Sequence, residues 1–178
     1  FETKWFWVQE LDNAEGGDPY YVLNGPDAVI LFVLDECGQV ILVRQDRPAR
    51  GHATLEVPAG GVEPNETLME AAIRELWEET GYEPGEIHAL GSGGLRLDRD
   101  SATMHGFVIF GAKRVRQWQP EQGVEVVVMP PALFAEMIRR GQFEQLGAAG
   151  LILQAVLSFP DRLRELLPGA ALTGTPAA

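Results

Sequence analysis

The stretch GGVEPNETLMEAAIRELWEETGY, residues 60 to 82, sets Glu66, Glu70, Glu75, Glu78 and Glu79 on an otherwise amphipathic helical pattern. At roughly 100° per residue, Glu75, Glu78 and Glu79 fall within an arc of about 100°, so three carboxylates share one face. They do so near the C-terminal end, where the helix dipole already disfavours negative charge. Met69, Ala72, Ile73 and Leu76 fill the adjoining arc and are expected to pack on the core, and Ala71 leaves room over the acids. Arg74 stands one turn before Glu78 and Glu70 one turn before Arg74, a Glu-Arg-Glu ladder able to orient part of the cluster. Like charges at i, i+4 cost a few tenths of a kcal/mol each, more when desolvated, and a divalent cation removes that cost. Mg²⁺ prefers carboxylate, carbonyl and water oxygens and commonly joins protein carboxylates to substrate phosphates. The acids taken alone also describe a solvated helix face, and that reading stays open at this point.

The elements that must position this stretch are legible around it. Thr67 and Glu70 form an S/T-x-x-E capping box and Gly81 supplies a C-terminal cap, which predicts a helix over about Thr67 to Thr80. Upstream, AVILFVL and QVILVRQ flank the turn DECG, a hairpin whose strands are apolar enough for burial on both faces. TLEVPAGGVEP leaves a strand and enters a Gly/Pro loop before the helix. Downstream come strands near EIHALGS, MHGFVIFGAKRV and VEVVVMP, then helices over PALFAEMIRR and AAGLILQAVLSF. This irregular mixture indicates α+β rather than a doubly wound parallel sheet. KWFWVQELDNAEGGDPYYVLNG reads as two short strands that form a small antiparallel arm. The expected division is an arm over residues 1–25, a main domain over 26–160 and a partly disordered tail over 161–178.

At 178 residues and 46% hydrophobic content the chain can bury the core of one compact domain. Its net charge of −12, from 26 acids against 14 Lys plus Arg, argues against nucleic acid or an anionic membrane as partner. No apolar run reaches the length of a membrane span, and the start FETKWFWVQE lacks the pattern of a secretory signal. Because the chain begins with Phe1 rather than Met, residues upstream of it are expected. Cys37 is the single cysteine, so no intrachain disulfide forms and a cytoplasmic setting is expected. His52, His88 and His105 lack ligand spacing, so no zinc site is expected.

Gly60, Glu66, Arg74, Glu75, Leu76, Glu78, Glu79, Gly81 and Tyr82 resemble, position by position, the Nudix box, G-x5-E-x7-R-E-U-x-E-E-x-G-U with U a bulky apolar residue. From average composition, a match at every one of these positions arises by chance at fewer than about one in 10⁸ starts. VILVRQDRPA, LEVPAGGVE and GQFEQLGAAGLILQA are further similar to the ADP-ribose and sugar-nucleotide pyrophosphatase branch of that superfamily. The resemblance implies an α/β/α sandwich with a mixed sheet, a homodimer built through the N-terminal arm, and hydrolysis of a nucleoside diphosphate derivative with Mg²⁺ or Mn²⁺. It implies metal ligation by Glu75, Glu79, Glu78 and the Ala59 carbonyl, with Glu66 and Arg74 holding the loop against the helix. It places the general base, or an added metal ligand, at Glu121 in QPEQGVE, although Gln122 stands where a second acid is expected. Arg44 and Arg47 are the candidates to hold phosphate or ribose, since Arg gives planar bidentate contacts to such groups.

Two departures bear on the substrate. Asp46 replaces the aromatic residue common in RQYR, and the loop GGLRLDRDSATMHG has no Pro at the position after the box that marks many ADP-ribose enzymes. A sugar nucleotide such as GDP-mannose, a dinucleotide, and a non-catalytic ligand sensor of the same fold therefore stay open.

Overall fold

The computed structural model describes residues 1–13, 16–119 and 123–167. The chain begins with a separate antiparallel pair, β1 (Trp7–Leu11) and β2 (Tyr20–Asn24), which is the expected arm. It meets the body along residues 99–101: Leu23 N donates to Arg99 O at 2.7 Å, Ser101 N to Leu23 O at 3.0 Å and Ser101 Oγ to Asn24 Oδ1 at 2.9 Å, and the Arg99 guanidinium lies over the Tyr20 ring.

The main sheet is mixed. β3 (Ala28–Asp35) and β9 (Met104–Arg114) run parallel at its centre, while β4 (Val40–Arg47), β10 (Val124–Met129) and β8 (Glu86–Gly93) pair antiparallel outward in the order β10-β4-β3-β9-β8. Short β7 (Tyr82–Glu83) pairs with the far end of β9. Strand alternation divides the core: Val29, Leu31 and Val33 face α1 (Leu68–Thr80), while Ile30, Phe32 and Leu34 face α2 (Pro131–Arg139) and α3 (Leu146–Ser158). The result is the α/β/α sandwich anticipated from the sequence. Among the described residues no helix is long and apolar enough to cross a membrane.

One irregularity positions the chemistry. The β3–β4 hairpin holds register only at Val33↔Ile41 and Leu34↔Val40. Since β10 covers one edge of β4 from Val40 to Gln45, the other edge passes from β3 to β5 (His52–Glu56). β3 meanwhile takes β6 (Ala59–Gly61) as its neighbour, from Ala28↔Gly61 to Ile30↔Ala59. The sheet thus forks, and Val57-Pro58 spans from the β5 prong to the β6 prong. The expected Gly/Pro loop contains the short strand β6, which local sequence does not announce.

α1 is capped as its sequence indicates. Thr67 accepts from Glu70 N, the Glu70 carboxylate accepts from Thr67 N at 2.8 Å, and Gly81 closes the helix in the left-handed region at φ 70°. The expected ladder loses its first rung, because Glu70 is engaged in this cap and does not meet Arg74. The buried face also differs from expectation: Ala71, Ala72, Glu75, Leu76, Glu79 and Thr80 are inside, whereas Met69 and Ile73 are exposed. The helix is rotated so that two of its acids, rather than two of its larger apolar residues, face the body.

The segment after α3 begins in order. Arg164–Leu166 form a 3-10 turn, and Leu163 is buried among the α2 and α3 contacts. Residues 168–178, the rest of the expected tail, lie outside the described residues.

Candidate active site

β6 organises the site through its two edges and two faces. Leu31 N donates to Pro58 O and Val62 N to Asp27 O, so Ala59 and Gly61 occupy the register positions that do not bond to β3. Their polar groups turn outward, toward α1. Ala59 N donates to Glu79 Oε2 at 3.0 Å, and Gly61 O accepts from Arg74 at 2.8 Å. Strand geometry sends the Ala59 carbonyl to the same side as its N–H, where the Glu79 carboxylate lies. Gly60, between them, shows its missing side chain to α1: a Cβ there would stand 2.0 Å from the Glu75 carboxyl carbon. The first glycine of the motif is therefore a steric requirement of Glu75.

Arg74 joins the loop to the helix. It grips Glu66 with two parallel bonds of 2.8 Å from Nε and one Nη, donates to Gly61 O, and reaches Glu75 at 2.7 Å and Glu78 at 3.1 Å. Those bonds use all five N–H groups of the guanidinium. The Arg74 fork, with a further bond from Glu63 N, holds the Glu66 carboxyl down to about 2 from an ordinary 4.5. Arg74 itself is held more firmly protonated, first by Glu66 and then, against the cost of burial, by Glu75 and Glu78. One cation thus faces three carboxylates, with Glu79 beside them.

Glu75 and Glu79 are 8% and 7% exposed, while the Glu78 side chain remains 44% exposed. Among the described residues no three acidic, His or Cys side chains close on a single point as a finished cage. Glu75 and Glu78 both reach Arg74, and Glu79 turns to the Ala59 N–H. The donor set still fits a hard divalent cation: two largely buried carboxylates one helical turn apart, and an outward strand carbonyl next to the glycine on which the Glu75 carboxyl lies.

The two predicted substrate arginines do not meet. Arg47 ends β4, where that strand pairs with β5, and donates to Glu56 in a fork of 2.8 and 2.7 Å, and Thr54 Oγ1 also donates to Glu56 at 2.5 Å. Burial pushes the Glu56 carboxyl up, but Arg47 and Thr54 outweigh it and leave it lowered. Arg47 is raised chiefly by Glu56, with a longer-range pull from Glu79 that ties it to the carboxylate end of α1. Arg44, three residues earlier on a strand of period two, pairs instead with Glu125 at 3.0 Å on the opposite face. Glu121 lies outside the described residues.

A cleft of about 250 Å³ that no sequence pattern announces is lined by Arg47, Arg50, Thr54, Glu56, Glu144 and Gln145. Gln145 closes it toward the site by accepting from Val57 N at 2.9 Å, and Glu144 ties Arg50 and His52 together. The signal for it was spread over residues some ninety positions apart in sequence. The remaining histidines have structural partners as well: His105 meets Ser92 at 2.8 Å and His88 packs against Phe159.

The family model described as the NUDIX domain matches residues 24–146. The chain belongs to that family. Its match begins where β2 ends, leaving the arm outside it, and ends at the start of α3. Mouse ADP-sugar pyrophosphatase is 56% identical over 52 residues, 29% of this chain and 22% of that protein. Bacillus subtilis ADP-ribose pyrophosphatase is 38% identical over 73 residues, 41% of this chain and 39% of that protein. An RNA pyrophosphohydrolase of Legionella pneumophila is 48% identical over 42 residues, 24% of each. The chain thus matches about a fifth to two fifths of the length of these curated relatives. A solved structure titled as an ADP compounds hydrolase superposes with a TM-score of 0.75 over 91% of this chain and 90% of that one, at 20% identity. At that identity the likeness concerns the fold alone.

The depressed Glu66 carboxyl gives a pH signature. Its pKa is lowered on folding, so its stabilising contribution is complete above about 4.5 and is lost as pH falls toward about 2. Denaturant titration of wild type and Glu66→Gln should show a stability gap that is widest near neutrality and narrows between these values. A gap independent of pH would assign the contact no electrostatic role.

Proposed function

We propose that this chain hydrolyses the pyrophosphate bond of a nucleoside diphosphate linked to a second moiety, of the ADP-ribose or ADP-sugar class, with Mg²⁺ or Mn²⁺. The observation that carries the reading is the buried Glu75–Glu79 pair set against Ala59-Gly60, in a chain of the NUDIX domain family. The names of the mouse and Bacillus relatives favour the substrate class.

Glu75, Glu79 and the Ala59 carbonyl would hold the cation, with the more exposed Glu78 as a further ligand. A divalent ion bound there neutralises diphosphate charge and eases deprotonation of the attacking water. The remaining work falls to the chain's own groups. Arg74 fixes the Glu75 and Glu78 side chains while holding the β6 prong to α1. Arg47 and Arg50 bring positive charge to the cleft beside the β5 prong, where an anion would otherwise meet a chain of net charge −12. Arg47 is the better placed of the two predicted arginines, because Glu56 orients its guanidinium. Attack on one phosphorus and cleavage of the bridging P–O bond release a nucleoside monophosphate and a phosphorylated second moiety. Glu121 remains our proposed acceptor of the water's proton.

A homodimer and a cytoplasmic setting belong to the same proposal. All of β1 is exposed, as are Phe1 at 83% and Trp5 at 68% just before it, and an isolated two-stranded hairpin is only marginally stable in water. α3 carries no charged residue, yet Leu146, Leu153 and Leu157 on its outer side are 79, 59 and 73% exposed. A helix that is apolar all round is normally buried, and a second copy of the chain would cover both surfaces. The one cysteine, Cys37, is an exposed thiol, as suits a reducing compartment.

Assay of ADP-ribose, GDP-mannose, UDP-glucose and NADH with Mg²⁺ and Mn²⁺ should release nucleoside monophosphate, fastest from an ADP-linked substrate. Glu79→Gln should lower kcat by at least about a hundredfold while the protein stays folded. No turnover of any of the four would refute the assignment. In sedimentation equilibrium the chain should run at twice its 19.5 kDa mass. A monomer at micromolar concentration would remove the dimer from the proposal.

A further inference from the structure

α1 ends against its own dipole. Glu75, Glu78 and Glu79 occupy its last turns, and no basic residue stands in the final one. The closing carbonyls of a helix also lack partners within it and need donors from elsewhere. Here the connection between β9 and β10 supplies them. Val115 N donates to Gly81 O at 2.8 Å, and the Trp118 indole N–H donates to Glu78 O at 3.3 Å. The indole is pressed so closely on the cap that a Cβ at Gly81 would stand 2.3 Å from Trp118 Cδ2 and 2.5 Å from Cγ. Gly81 therefore meets two separate demands, the left-handed turn at φ 70° and the space for this ring.

We infer that Trp118 is a positioning residue for the cation-binding end of α1. It contacts the helix backbone at the carbonyl of Glu78 and at the cap that follows Glu79, and so fixes the direction in which both carboxylates leave the helix. The geometry bears this role because the face is held from two sides by different means. Arg74 braces the carboxylates from the loop side, and Trp118 holds the last turn from the opposite end. Without the indole, the Glu78 carbonyl would lose a donor at the point where three acids favour fraying. The inference rests on the reading of the Glu75–Glu79 face as a cation site.

The test is calorimetric titration of Mn²⁺ into wild type, Trp118→Phe and Trp118→Ala, with tryptophan fluorescence and thermal unfolding followed in parallel. Trp118→Ala should weaken Mn²⁺ binding about tenfold and lower kcat by a similar factor, with KM little changed. Trp118→Phe keeps a ring on Gly81 without the N–H and should fall between the two. Mn²⁺ should quench wild-type fluorescence, and most of that quenching should be absent from Trp118→Phe. Folded Trp118→Ala with wild-type Mn²⁺ affinity would overturn the inference. If Trp118→Ala does not fold, wild-type Mn²⁺ affinity in Trp118→Phe would overturn it equally. A wild-type protein that fails to bind Mn²⁺ would remove the cation site itself, whereas wild-type binding with unaltered variants would remove only the role of Trp118.

Discussion

The site depends on a single guanidinium placed among carboxylates that would otherwise repel one another. Arg74 has five N–H groups, and loop, strand and helix each take at least one of them. Removing it would do more than weaken one ion pair: it would leave Glu66 and Glu75, both with little exposure, without their cationic partner, and leave Gly61 O without its donor. The arrangement still holds more negative than positive charge. A divalent cation can supply the balance, and Gly60, by having no side chain, lets the Glu75 carboxyl lie against the strand beside Ala59.

The forked sheet supplies the geometry for that electrostatic arrangement. If β4 stayed beside β3 for its full length, β6 would have no edge to pair with and Ala59 no outward-facing polar groups. Because β4 diverges to β5, the Arg47–Glu56 pair and the Ala59–Gly61 strand come to lie on neighbouring prongs. The pull of Glu79 on Arg47 reports their proximity. The proposed phosphate cleft and the proposed cation face of α1 are thereby brought within reach of one substrate from different elements.

Features set by neighbours in the chain were legible in the sequence. The limits of α1 follow from Thr67, Glu70 and Gly81, whose roles are settled within one helical turn. The arm, the central strands and the two later helices follow from periodicity. What was not legible depended on distant partners. Glu70 fits both a cap and a ladder, and the cap prevails because the backbone N–H it satisfies is adjacent. Met69 and Ile73 look like core residues, yet the helix turns its acids inward, since Arg74 and the Ala59 N–H receive them there. β6 has only three residues, two of them glycine, and is a strand solely because β3 has a free edge beside it. Trp118 meets Gly81 through a connection that no local pattern links to the helix.

The carboxylate face of α1 is proposed to bind a divalent cation through side chains engaged by Arg74 and a backbone amide. A crystal structure with Mn²⁺ and a non-hydrolysable nucleoside diphosphate analogue, read by the anomalous signal of manganese, tests it most directly. The expected result is a peak in ligating contact with Glu75, Glu79 and the Ala59 carbonyl, with Arg74 still bound to Glu66. A peak elsewhere, or analogue bound with no manganese at that face, would contradict it.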